Sequence, residues 1–146
     1  MDMRHIVIGL DGSAGSAAAA RWCAQLARAT GSEVTAVHGL GAMSELLLGI
    51  PPSSLRDWKE ELRPALHQWC EPLREAGVPC REEVIDDDPV GALIHTAEEQ
   101  HADLVVVGAQ GHSGFLHRVL GGVSYKLAHH AGRPVVIVPS EVQEAS

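Results

Sequence analysis

The chain is poor in cysteine, short of positive charge and without any long apolar run. Its three cysteines, Cys23, Cys70 and Cys80, are odd in number, widely spaced and form no C-x-x-C pair. That pattern excludes a disulfide framework and a zinc motif, and reduced, mostly buried thiols are expected. Eleven Lys and Arg stand against nineteen Asp and Glu, a formal net charge of -8. The clustered cations that draw a protein to duplex DNA are missing, so no nucleic-acid partner is expected. No apolar stretch approaches the ~18 residues of a membrane span. Met1 to His5 leads straight into a strand-like run rather than into the apolar segment of a signal peptide, so the expectation is a cytoplasmic protein that does not meet the membrane.

What is present reads as a single globular domain. The 146 residues, 45% hydrophobic and 21% charged, suffice for one substantial core, here expected over 1–140 with a polar tail at 141–146. His5 to Leu10 reads as a buried strand that breaks at Asp11-Gly12-Ser13. A helix follows, with Ser16 as expected N-cap and Ala19, Trp22, Cys23, Leu26 and Ala27 at helical spacing until Thr30 and Gly31. Glu33 to His38 is a second strand. Residues 39–54 form a long connection, a length that in loops accompanies function or mobility. Leu55 to Ala76 is helical in period, but Pro64 and Pro72 predict a kinked or split helix.

Val78 to Ile85 reads as a third strand. Asp88 then caps a helix with Pro89 in its first turn, running to about Gln100. Leu104 to Gly108 is a fourth strand, Val123 to His130 the last helix and Val135 to Val138 the last strand. Strands alternating with helices, nearly all of them apolar, predict a doubly wound α/β fold with a parallel sheet covered on both faces. In such sheets ligands bind beyond the carboxyl ends of the strands, where the strand order reverses. Asp11 and Gly108 both fall at such ends.

Between the fourth strand and the last helix lie Gly108, Gly111, Gly114, Gly121, Gly122 and Ser124. Glycines after a buried strand let backbone N–H groups approach an anion, and the following helix offers its positive end. From His101 to Pro139 one acid, Asp103, stands against Arg118, Lys126, Arg133 and five of the nine histidines, so the loop sits in the least acidic third of the chain. It is neither a dinucleotide G-x-G-x-x-G nor a Walker A loop, since no lysine precedes Ser16 in the first turn. Asp11 suits either a ribose or adenine contact or the capping of its own turn. Asp86, Asp87 and Asp88 read as a solvated helix start rather than a metal site. His112 and His117 lie in the loop, within reach of phosphate or simply exposed, and His129 and His130 favour a helix C-terminus. Trp22, Trp58 and Trp69 read as packing residues. No nucleophile and base pair stands out.

Taken together, Ile6-Val7-Ile8-Gly9-Leu10-Asp11-Gly12-Ser13 with Ser16, Thr35-Ala36-Val37-His38, Asp103 to Gly111, Gly121 to Ser124 and Arg133 to Pro139 resemble the universal stress protein family, of the adenine nucleotide α-hydrolase-like superfamily, over nearly the whole chain. The resemblance implies a five-stranded parallel sheet in the order 3-2-1-4-5, a homodimer joined through the last strand (Val135 to Val138) and, in one branch, bound ATP or AMP, with Mg²⁺ accompanying ATP. Members that bind ATP carry Gly-x-x-Gly, nine residues, Gly, then Ser or Thr; Gly108, Gly111 and Gly121 match, and Gly122 replaces the hydroxyl residue. By the same likeness Asp11 holds adenine or ribose, Gly9 and Leu10 line the base pocket and Val107 and Gly108 pack near the ribose. Gly111, Gly121, Gly122, Val123 and Ser124 cradle the phosphates, and Gly39 stands where the family more often has an apolar residue against adenine. The implied function is an adenine-nucleotide binding stress-response module working through occupancy and protein partners. A dimeric interaction protein without nucleotide is the first alternative, and a slow ATPase the second.

Overall fold

A computed structural model describes residues 2–40, 52–109 and 122–140. In chain order the elements are β1 (His5–Gly9), α1 (Ala14–Thr30), β2 (Glu33–Gly39), α2 (Pro52–Trp69), α3 (Glu71–Glu75), β3 (Cys80–Ile85), α4 (Pro89–Glu99), β4 (Leu104–Gly108), α5 (Gly122–His130) and β5 (Val135–Val138). All five strands are parallel, in the order β3-β2-β1-β4-β5, as expected. Val7 pairs with Thr35 on one side and Val105 on the other, so β1 is the central strand and the order reverses between β1 and β4.

Side chains two apart along a strand share a face, and the sheet sorts its apolar residues accordingly. Ile6, Ile8, Val34, Ala36, Leu104 and Val106 pack under α1, α2 and α3, with Leu66, Cys70 and Leu73. Val7, Val37, Val105 and Val107 pack on the other face against Ala92, Leu93 and Ala97 of α4 and Leu127 of α5. The inner face of α1 is small, with Ala18, Ala19, Ala20, Ala24 and Ala27 all buried, which lets its backbone come close to the sheet. No described helix is long and apolar enough to cross a membrane.

Most boundaries fall within a residue or two of expectation, and two differ for identifiable reasons. The N-cap of α1 is Ser13, not Ser16: Ser13 has extended backbone (ψ 164°) and its hydroxyl accepts from Ser16 N, which is already inside the helix. At the other end Gly31 takes the left-handed conformation (φ 71°) that closes α1. The proline-marked helix splits at only one of its two prolines. Pro64 lies on the exposed face of α2, where water can satisfy the carbonyl left without its donor. The break comes at Cys70, and Pro72 sits in the first turn of α3, where no N–H is needed.

The start of α4 is as expected, with Asp88 Oδ1 accepting from Gly91 N at 2.8 Å and Pro89 in the first turn. Arg133 has a role that the sequence did not suggest. Its guanidinium donates to the carbonyls of Ala97 (2.7 Å) and Ala102 (2.8 Å), satisfying acceptors at and beyond the end of α4. Cys23 and Cys70 are buried and Cys80 half-buried, all three as free thiols. The expected tail, 141–146, lies outside the described residues, as do 41–51 of the long connection.

Candidate functional site

The carboxyl end of β1 turns sharply into α1. Leu10 is buried and its N–H still donates to Val37 O at 3.0 Å, so the turn begins only at Asp11. There the Asp11 carboxylate accepts from Ser13 N at 2.9 Å, Asp11 N donates to Ser16 Oγ at 3.3 Å, and Ser16 Oγ donates to Ser13 O at 3.2 Å. The capping role open to Asp11 from sequence is therefore present. Its half-buried carboxylate also stands beside the positive end of α1, where negative charge is favoured.

Gly108 ends β4 directly against this turn. A Cβ there would stand 2.6 Å from the carbonyl carbon and oxygen of Gly15 and 3.0 Å from Ser16 N, so two backbones meet where only glycine fits. Gly9 is constrained more gently, its virtual Cβ lying 3.0 Å from Leu93 Cδ1 and 3.3 Å from Val107 Cγ1. Val107 itself is 4% exposed and belongs to the α4–α5 core, which leaves its backbone as the part able to face a ligand.

The start of α5 is held to β4 by Ser124. That buried hydroxyl donates to Ala109 O at 3.1 Å, and Ala109 N in turn donates to Val138 O at 2.8 Å. Gly122 and Val123 form the first turn of the helix, whose leading N–H groups have no intrahelical acceptor. A Cβ at Gly122 meets no described atom within 4 Å. Gly111, Gly114, Gly121, His112, His117 and Arg118 lie outside the described residues. The structure thus brings together Leu10, Asp11, Gly108 and the first turn of α5 around the β1–β4 reversal.

On the β2 side, Gly39 is buried, and a Cβ there would stand 2.9 Å from both Asp87 O and Pro89 Cα. The β3–α4 connection fills the space that an apolar side chain would need. Next to it His38 Nδ1 bonds Leu10 O at 2.8 Å. Since a carbonyl only accepts, Nδ1 carries the proton. The His38 ring meets Trp69 edge-on at 5.4 Å, and Trp69 also lies on Gly12. Sequence reasoning placed Trp69 only in packing and gave His38 no place in the site, because both meetings link residues about thirty or more positions apart.

A cavity of about 390 Å³ opens beside this group, lined by Leu10, Ser13, Ser16, Trp69, Glu71 and Glu75 among others. Its two carboxylates oppose an anion, so phosphate chemistry is favoured on the α5 side of the turn rather than here. Among the described residues no group of three or more His, Cys, Asp or Glu is arranged to hold a metal ion. Asp87 and Asp88 instead serve the α4 start, Asp87 Oδ1 accepting from Asp88 N at 2.7 Å.

Comparison with known proteins follows the same outline. The model of the universal stress protein family matches residues 3–139. A universal stress protein of Methanocaldococcus jannaschii is 29% identical over 97% of this chain and 85% of its own length. One from Mycobacterium tuberculosis is 31% identical over 93% of this chain, which spans only 48% of that relative. Among solved structures, a universal stress protein in complex with cAMP is 26% identical, covers 97% of this chain and all of its own, and superposes with a TM-score of 0.71.

Proposed function

The chain belongs to the universal stress protein family, and from that premise we propose that it is an adenine-nucleotide binding module that acts through occupancy and protein partners rather than turnover. The observation that carries the reading is the convergence at the β1–β4 reversal. The Asp11 turn, Gly108 packed on Gly15, and the first turn of α5 tied to Ala109 by Ser124 surround the place where doubly wound sheets take ligands. The cAMP complex of a family member supports adenine as the base.

In this reading Leu10, Asp11, Gly9 and the backbones of Gly39, Val107 and Gly108 receive the nucleoside. The first turn of α5, with Gly122, Val123 and Ser124, together with Gly111 and Gly121, receives the phosphates at the positive end of the helix. ATP is the nucleotide with the most phosphate to engage there, and Mg²⁺ travels with it. The partner of first rank is a second copy, joined along β5, which ends the sheet with a half-buried strand, Val135–Val138. End strands of this kind favour pairing with another chain.

Two features favour an alternative, a dimeric interaction protein without nucleotide. The Ser124 hydroxyl already spends its proton on Ala109 O, and the space in front of Gly39 is taken by Asp87 and Pro89. Isothermal titration of nucleotide-stripped protein with ATP and Mg²⁺, and with AMP, separates the readings. Micromolar binding is expected, with phosphate release from the ATP-loaded protein at background and a dimer by light scattering. Absence of binding to both nucleotides would assign the chain to the interaction class.

A further inference from the structure

Leu10 lies one residue past the end of β1, and the peptide that joins it to Asp11 is held from two different elements. The oxygen of that peptide, Leu10 O, accepts the Nδ1–H of His38 on β2 at 2.8 Å. Its nitrogen, Asp11 N, donates to Ser16 Oγ on α1 at 3.3 Å. A third tie runs from Leu10 N to Val37 O at 3.0 Å. Because a peptide unit is planar, fixing its oxygen and its nitrogen fixes the plane from which Asp11 departs. From there the Asp11 carboxylate closes on Ser13 N at 2.9 Å.

Strand alternation places His38 for this work. It shares a face of the sheet with Val34 and Ala36, which belong to the core under α1 and α2. On that side the indole of Trp69 meets the half-buried imidazole edge-on at 5.4 Å, and the same indole packs on Gly12. One ring therefore bonds the residue before Asp11, and its neighbour covers the residue after it.

We propose that His38 is a positioning residue for nucleoside recognition: through the Leu10–Asp11 peptide it holds Asp11 where adenine or ribose is received. This role presupposes that the site takes an adenine nucleotide. The phosphates belong to the first turn of α5, so the contribution of His38 is to the nucleoside and is the same for adenosine, AMP and ATP. Two substitutions separate the donor from the ring. His38→Phe keeps the ring beside Trp69 and removes the donor, whereas His38→Asn gives up the ring and keeps an N–H donor attached at the place of Nδ1. A residue that only fills space would tolerate Phe and suffer from Asn; a residue that holds the peptide does the reverse.

The test compares the full chain with these two variants. Nitrogen-15 NMR of the unliganded parent should show His38 protonated at Nδ1. Amide hydrogen exchange at Asp11 and Ser13 should quicken in His38→Phe while Val7 and Ile8, in the middle of β1, keep their protection, and His38→Asn should stay close to the parent. By titration calorimetry His38→Phe should bind adenosine, AMP and ATP more weakly by one common factor, about 3- to 10-fold, and His38→Asn should recover most of it. Parental affinity in His38→Phe with weakened binding in His38→Asn overturns the proposal. So does a parent His38 protonated at Nε2 alone, which decides the matter even should His38→Phe fold poorly. A parent protein that binds none of the three ligands overturns the nucleotide site itself and the role of His38 in it, whereas unchanged exchange at Asp11 in His38→Phe overturns the positioning alone.

Discussion

Trp69 packs so close to Gly12 that a Cβ at position 12 would stand 2.6 Å from the indole Cζ2. This contact fastens the end of α2 to the turn that carries Asp11. Gly12 also holds a left-handed backbone, φ 81°, so Gly12→Ala meets strain and a wall together. A loss of about 2 to 3 kcal/mol is expected, measured by urea denaturation. Repeating the change in a Trp69→Leu protein should recover the steric part and leave roughly 1 kcal/mol for the backbone. An alanine protein as stable as the parent would show that the contact does not form.

Gly122→Ser adds the hydroxyl that the resemblance implies at this point of a phosphate-binding loop, at a position where an added Cβ touches no described atom. The new donor to a charged phosphate is worth about 1.5 to 3 kcal/mol, so nucleotide affinity should rise roughly 10- to 100-fold. Thermal stability without nucleotide should hold, because the added side chain meets no described atom and serine is well accepted at a helix start. Titration calorimetry on the two proteins reads the effect. Equal affinity would mean that the phosphates do not approach the first turn of α5.

Asp103 joins the two sheet halves at their other end, its carboxylate accepting from Arg4 N at 2.9 Å and His5 N at 3.1 Å. Those two backbone donors hold its pKa below the ordinary 3.8. A depressed folded value means that the stability is fully present above the unfolded pKa and is lost as pH falls through the folded one. The urea midpoint should therefore drop as acid is added below about pH 4, and Asp103→Asn should flatten that drop. A midpoint with the same acid dependence in both proteins would assign the slope to other carboxylates.

What the sequence disclosed is what local chemistry dictates. Asp88 followed by Pro89 marks a helix start whatever surrounds it, and five apolar runs separated by helical periods leave few topologies beside the one found. The cap falls on Ser13 rather than on Ser16 because the chain is still extended at Ser13, a backbone angle that the residue types alone do not reveal. The helix splits as Pro64 and Pro72 suggest, but the break falls at Cys70, and Pro64 stays inside α2 on an exposed face where water can meet the carbonyl left without a donor. His38 and Trp69 entered the site through contacts with Leu10 and Gly12, residues far off in the chain. Periodicity carries no trace of such meetings.

Gly108 has a consequence for how glycine patterns are read in chains like this one. Its side-chain space is filled by the Gly15 and Ser16 backbone, so the residue is fixed by the joint between β4 and α1 before any ligand arrives. A descendant that had abandoned nucleotide altogether would still keep this glycine, while position 122, open on every described side, would be free to drift. The loop's first glycine is thus a record of architecture, and position 122 is where a history of binding or of its loss would be written.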